Sequence, residues 1–257
     1  MNCFAGQKLV FLPGLDGTGL SFEPLRPFLP PNLRVQVVTY PAHRCLNFAQ
    51  TVQWATDQIT SDQHPIVLAE SFSGPVAVAL LASGRLRAQC LILCTTFARA
   101  PRPRLLTLSR FLPLATLLRL PFPHLLFKHI VAGGPASVTL LADLWRQIRP
   151  KVSPKVLAHR LDLIRRLDVR PWLPRLTLPC LYIQATGDRT VPAKALLDFH
   201  QTLPNLHVAR IEGPHFILQA QPQASLAAIE SFLQQVGPSD SRPQPIAWPY
   251  PPRPQRH

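Results

Sequence analysis

One stretch restricts the possible folds of this chain more than any other: His64-Pro-Ile-Val-Leu-Ala-Glu-Ser-Phe-Ser-Gly-Pro-Val-Ala-Val-Ala-Leu80. Ile66 to Ala69 is an apolar run of strand length, opened by Pro65 and too short for a helix. From Val76 onward the Ala-rich apolar run suits a buried helix. Pro75 falls in its first turn, where a missing N–H costs nothing. Ser71 therefore sits on a sharp turn between a strand and a helix. A serine held there stands clear of both elements, and the N–H that follows it can face the same reacting atom. The usual form of such an elbow is Gly-x-Ser-x-Gly. Here Ala69 and Ser73 take the outer positions and Gly74 follows. The geometric requirement is little side-chain bulk two residues either side of the serine. If Ser73 were the nucleophile, Pro75 would occupy one of those positions and fit poorly, so Ser71 is the better candidate. Taken alone, the stretch also reads as an ordinary strand-turn-helix with a solvated serine.

The rest of the chain supplies the context. Leu9 to Leu12 is a buried strand, followed by the glycine-rich turn Pro-Gly-Leu-Asp-Gly-Thr-Gly19. A phosphate loop is the obvious competitor, but there is no Gly-Lys-Ser/Thr and the glycines lack the dinucleotide spacing. The turn reads better as an oxyanion loop with the Leu15 N–H aimed at the reacting oxygen. Asp16 is expected to shape the turn rather than to act as an acid. Leu33 to Tyr40 is a predicted strand, Phe48 to Thr60 a predicted helix, and Cys90 to Cys94 another buried strand. This alternation predicts a parallel sheet with right-handed crossovers.

The rhythm breaks at Ala98. Residues 98–170 carry Leu-rich, Pro-punctuated pieces without a strand signal: Leu105 to Leu120, Ala136 to Ile148 and Ser153 to Leu167. They are expected to be short helices of an inserted cap, packing an apolar side over a pocket. The sheet resumes at Pro179 to Gln184, followed by Gly187-Asp188. A helix is predicted from Ala193 to about Thr202, then a strand from His207 to Ile211 and the loop Glu-Gly-Pro-His215. Leu226, Ile229, Phe232, Leu233 and Val236 mark the stripe of a last amphipathic helix. The expected organisation is a core of residues 1–97 and 171–237, a helical cap of residues 98–170, and a Pro-rich, disordered tail at 238–257.

Charge is concentrated. Residues 97–170 hold 14 Lys and Arg against 3 Asp, a local net charge of +11 within a chain total of +14. This describes either a solvated Arg-rich face or a surface that meets something anionic, such as an acidic carrier protein or an anionic membrane surface. No recognition-helix, zinc or aromatic-platform motif accompanies it, so nucleic acid is not the expected partner. The five cysteines have no metal-type spacing; Cys90, Cys94 and Cys180 lie on or beside apolar strands. His124, His129 and His159 likewise lack metal spacing. No metal or cofactor is expected. No uninterrupted run of about twenty apolar residues suggests a spanning helix, no signal-peptide pattern opens the chain, and the cytoplasm is the expected compartment.

Ser71, Asp188 and His215 each follow a buried strand, in the order Ser, Asp, His, with a glycine-rich loop after an early strand. This arrangement resembles the α/β-hydrolase superfamily, whose triad runs in that order. The resemblance spans residues 8 to about 236 and rests on Leu12-Pro-Gly-Leu-Asp-Gly-Thr-Gly19, Ala69-Glu-Ser-Phe-Ser-Gly74, Gly187-Asp188 and Gly213-Pro-His215. The first two motifs are similar to those of little-characterised bacterial α/β-fold serine hydrolases and, more distantly, of plastid acyltransferases that make phytyl esters. Two features depart from the pattern: the two antiparallel strands that often begin the fold are missing, and the outer elbow glycines are replaced. The resemblance implies Ser71 as nucleophile, His215 as base, Asp188 as its partner, and the N–H groups of Leu15 and Phe72 as the oxyanion hole. It implies hydrolysis of a small-molecule carboxylic ester with a hydrophobic or acyl-chain group. Thioester hydrolysis or acyl transfer, including from a carrier protein, and a non-catalytic binding role are the alternatives.

Overall fold

The computed structural model describes residue 4 and residues 6–60, 64–109, 114–117 and 135–237. The tail at 238–257, His124, His129 and much of the Leu105 to Leu120 piece lie outside the described residues. Six parallel strands form one sheet: β1 (Lys8–Leu12), β2 (Arg34–Val37), β3 (Ile66–Glu70), β4 (Cys90–Cys94), β5 (Cys180–Ala185) and β6 (Leu206–Ile211). Their spatial order is β2-β1-β3-β4-β5-β6. The central strands β3 and β4 are buried at every residue, as a sheet covered on both faces requires. Their continuous apolar sequences, Ile-Val-Leu-Ala-Glu and Cys-Leu-Ile-Leu-Cys, follow from that position.

Helix α1 (Phe48–Gln58) opens with a capping box in which the Asn47 side chain accepts from the Gln50 N–H and the Gln50 side chain accepts from the Asn47 N–H. Helix α2 (Ser73–Ala82) is buried at nine of its ten residues, which explains why its sequence is apolar all round. Between β4 and β5 lie α3 (Pro103–Ser109), α4 (Leu114–Leu117), α5 (Pro135–Ile148) and α6 (Pro154–Arg166). The ends of this stretch meet: Arg99 and Asp168 form an antiparallel bridge, and the Val169 N–H donates to Ala98 O at 2.8 Å. Then come α7 (Ala195–His200), α8 (Ile217–Ala220) and α9 (Pro222–Val236). No helix among the described residues is long and apolar enough to cross a membrane.

Two apolar layers sandwich the sheet. One holds Val10, Leu12, Val67, Ala69 and Leu93 against α1 and α2. The other holds Leu9, Phe11, Leu68 and Ile92 against Phe22, Ile229 and Phe232. Alternate residues of each strand enter opposite layers, as the pleat dictates. Cys90, Cys94 and Cys180 are buried free thiols within these layers. Burial pushes the Cys180 thiol up to about 12.

The sequence expectations and the structure differ in several details. The strand predicted over Leu33 to Tyr40 is regular only from Arg34 to Val37. Beyond it the Tyr40 N–H donates to Gly17 O at 2.8 Å, which draws the chain out of the ladder and towards the glycine-rich loop. The helix predicted over Ala193 to Thr202 spans Ala195–His200. Residues Leu20–Phe28 and Arg170–Arg175 form 3-10 helices that the pattern did not reveal. Pro24, Pro27 and Pro174 interrupt the α-helical ladder there and favour the tighter turn.

Candidate active site

The carboxyl ends of the parallel strands carry the candidate residues. The glycine-rich loop follows β1, Ser71 follows β3, Asp188 follows β5 and His215 follows β6. The switch edge of an open parallel sheet collects loops from several strands in one place. Here it brings together side chains that are 144 and 27 residues apart in the chain. His215 Nε2 lies 3.0 Å from Ser71 Oγ, and His215 Nδ1 lies 2.7 Å from Asp188 Oδ2.

Each group is held by its own surroundings. Ser71 adopts φ +50°, a left-handed conformation that a non-glycine residue rarely takes. Its N–H donates to Cys94 O at 3.0 Å, and its carbonyl accepts from the Gly74 N–H at 3.1 Å and from the Thr96 hydroxyl. The turn is thus fastened to the end of β4 while the side chain stands free. Thr96 is itself fixed, because Tyr182 donates its hydroxyl to Thr96 O. Gly74 is needed here for space: a Cβ on it would lie 2.0 Å from Thr96 Oγ1. The Asp188 carboxylate is oriented by two main-chain donors. Its Oδ1 accepts from the N–H groups of Thr190 at 2.7 Å and Val191 at 2.8 Å, which leaves Oδ2 for His215. The His215 and Asp188 side chains are only 7% and 5% exposed, so their contact is shielded from competing water. The two loops touch directly, since the Gly187 N–H donates to Gly213 O at 2.9 Å.

The loop after β1 lies beside this cluster. A Cβ on Gly14 would be 3.9 Å from the Ser71 Cβ. Neither the Leu15 N–H nor the Phe72 N–H has a protein acceptor among the described residues. Asp16 shapes the loop as expected: its carboxylate accepts from the Thr18 N–H at 2.7 Å and from the Thr18 hydroxyl. Above the loop, Leu144, Ile148, Val152, Val156 and Leu157 of α5, α6 and their connection form a separate apolar cluster that packs against Leu15 and Phe216. The inserted helices therefore set an apolar side on the edge that bears Ser71 and His215. Among the described residues no group of His, Cys, Asp and Glu could hold a metal ion.

Four residues of this region have roles that the sequence does not assign them. Ser73, at the second elbow position, is fully buried and donates its hydroxyl to Pro13 O while accepting from Tyr40 Oη at 2.6 Å. Burial raises the Tyr40 phenol above its ordinary value and keeps it a neutral donor. Glu70 is buried behind Ser71; it accepts from Gln219 Nε2 at 2.8 Å and from Ser21 Oγ at 3.1 Å. Desolvation raises the Glu70 carboxyl above its ordinary range, against the hydrogen bond from Gln219 and the charge of His215. Arg160 of α6 is 5% exposed and reaches the glycine-rich loop. The only sequence signal for Ser73 was its place in the elbow; nothing local marked Tyr40, Glu70 or Arg160.

No protein-family model matches the chain. Solved structures do resemble it. The enol-lactonase of Burkholderia xenovorans LB400 superposes with a TM-score of 0.70 at 19% identity, over 89% of this chain and 91% of that one. A thermophilic esterase from Thermogutta terrifontis gives 0.71 at 21% identity, over 90% of each chain. A bromoperoxidase from Bacillus anthracis gives 0.72 at 18% identity, over 89% and 92%. The TM-scores, each over about nine-tenths of this chain, show that these neighbours share its architecture of a parallel sheet flanked by helices. The chain has the α/β-hydrolase fold.

Proposed function

We propose that the protein is a serine hydrolase that cleaves a carboxylic ester carrying a hydrophobic or acyl-chain group. The observation that carries this reading is the hydrogen-bonded chain from Ser71 through His215 to Asp188, on a turn whose serine sits at φ +50°. His215 Nε2 accepts the Ser71 proton as Oγ bonds to the acyl carbon. The carbonyl π pair moves onto oxygen, and the N–H groups of Leu15 and Phe72 donate to that oxyanion. One such fixed donor contributes about 3 to 4 kcal/mol to the transition state. Asp188 accepts from Nδ1–H, which selects the tautomer whose Nε2 is free to take a proton and stabilises the imidazolium. The imidazolium then returns its proton to the departing alkoxide. Water, deprotonated by the same nitrogen, opens the acyl-enzyme and restores Ser71.

The apolar cluster of α5 and α6 beside Leu15 and Phe216 supports a hydrophobic acyl or alcohol group. Hydrolysis of nitrophenyl esters of increasing acyl length, with Ser71→Ala beside the parent, tests the reading. Turnover that peaks at medium or long chains and vanishes in the variant is expected. Absence of turnover at every length from folded parent protein overturns it in favour of acyl transfer or a non-catalytic role.

A further inference from the structure

Arg160 is buried, and among the described residues no carboxylate forms an ion pair with it. Its guanidinium instead donates to three main-chain carbonyls of two different loops: Nη1 to Leu15 O at 2.9 Å and Asp16 O at 2.6 Å, and Nη2 to Pro41 O at 3.0 Å. The group also lies 5.6 Å from the centre of the Tyr40 ring. Asp16 directs its carboxylate to Thr18 and acts on Arg160 through its charge. Burying a cation this way carries a desolvation cost that carbonyl dipoles and one aromatic face only partly offset. Packing of α6 against the loops it covers would be had more cheaply with an apolar side chain. The arrangement therefore serves something other than stability.

The two acceptors on Nη1 are consecutive carbonyls of the loop that holds Leu15. A bidentate grip on successive peptides fixes the dihedral angles at Asp16 and holds the Leu15–Asp16 peptide, the plane that adjoins the Gly14–Leu15 peptide carrying the Leu15 N–H. The loop is shaped to admit that grip: Gly17 has φ +72°, and a Cβ there would lie 2.6 Å from Arg160 Nη1 and 2.9 Å from the Tyr40 Cβ. From the other side Ser73 holds Pro13 O, so the segment between Pro13 and Asp16 is anchored at both ends, by the elbow helix and by the inserted helix. Tyr40 joins the two anchors, with its hydroxyl on Ser73 and its ring against Arg160.

We infer that Arg160 is a positioning residue for the oxyanion hole, a clamp from the inserted helical segment that aims the Leu15 N–H at the reacting oxygen. This rests on the hydrolase reading. The consequence is that the oxyanion hole is complete only while α6 is docked, so the insertion completes the site as well as covering it. A donor displaced by about 1 Å is expected to lower turnover on the order of 100-fold.

The test compares Arg160→Met and Arg160→Lys with the parent. For Arg160→Met the expected result is a 10- to 100-fold fall in kcat on a nitrophenyl ester, with KM within about 3-fold. Affinity for an aryl trifluoromethyl ketone, whose serine adduct places an oxyanion in the hole, is expected to fall in parallel. Arg160→Lys, which keeps one donor on the loop, recovers part of both losses. Amide hydrogen exchange at residues 14–19 is expected to speed up in Arg160→Met while exchange in β3 and β4 stays slow. Unchanged kcat, or a rise in KM with kcat intact, overturns the inference. If the parent itself does not hydrolyse esters, the hydrolase reading fails, and the exchange measurement alone decides the clamp: faster exchange at residues 14–19 supports it, unchanged exchange overturns it.

Discussion

The hydroxyl of Ser73 donates to the main-chain carbonyl of Pro13, 60 residues away in the chain, while the Tyr40 phenol donates to the same hydroxyl. A position that is glycine in the usual elbow thus ties the helix after Ser71 to the loop after β1. Ser73→Ala leaves the Tyr40 hydroxyl and Pro13 O buried and unpaired. The expected destabilisation is about 1 to 3 kcal/mol, read from denaturant unfolding. A several-fold loss of kcat should accompany it, because the Pro13–Leu15 segment loses one anchor. Unchanged stability in Ser73→Ala would count against the tie.

Asp188→Asn replaces the acceptor that faces His215 Nδ1. The amide can still accept from Thr190 and Val191, so folding is expected to hold. With an N–H directed at Nδ1, the imidazole is driven to the wrong tautomer, and kcat should fall by about 10⁴. A parallel loss of fluorophosphonate labelling at Ser71 provides the check. Labelling at the parent rate would show that another acid supports His215.

Gly187→Ala tests the contact between the acid loop and the histidine loop. An added Cβ would lie 2.7 Å from Gly213 O, a main-chain atom, and no side-chain rotation can move the Cβ away. The loops must separate, which strains the Asp188–His215 contact. The expected outcome is about 1 to 3 kcal/mol lost in thermal or denaturant unfolding, with a larger proportional loss of kcat than of substrate affinity. Parent-like kcat would mean that the loops absorb the shift without disturbing the pair.

Glu70 predicts a pH dependence of stability. Its folded carboxyl is raised from an ordinary value of 4.5, first by desolvation. The groups that face it are Gln219 on α8, Ser21 on the 3-10 helix, His215, Asp16 and Cys94, its partner on the adjacent β4. In the window between 4.5 and the raised value, the folded state binds more protons than the unfolded state. Stability therefore falls as pH rises through that window and stays lower above it. Glu70→Gln removes the ionisation while the amide oxygen still accepts from Gln219. The parent's thermal midpoint should decline relative to that of Glu70→Gln as pH rises from about 4.5 towards neutrality. A constant difference between the two proteins across this range would refute the assignment.

The order of strands and helices was legible in the sequence, because apolar run length and turn residues carry it. Ile66–Glu70 and Cys90–Cys94 are buried on both faces and read as uninterrupted apolar runs. Pro75, Gly74 and Ser71 mark the turn between strand and helix through local chemistry alone. The three candidate residues could be chosen because each lies within a few residues of a strand's carboxyl end, and parallel topology puts all those ends on one edge; the sequence reading of a buried strand before His215 is corrected by the structure, where β6 is a half-exposed edge strand. What the sequence could not supply is how side chains far apart in the chain complete one another. Ser73 meets Pro13 and Tyr40, Glu70 meets Gln219 and Ser21, and Arg160 meets the carbonyls of Leu15 and Asp16 only after the sheet has formed and α6 has settled over its edge. An arginine in a strongly basic segment reads as one more solvated charge. Burial, a property of the packed tertiary structure and not of any local pattern, is what separates Arg160 from its neighbours and turns it into a clamp.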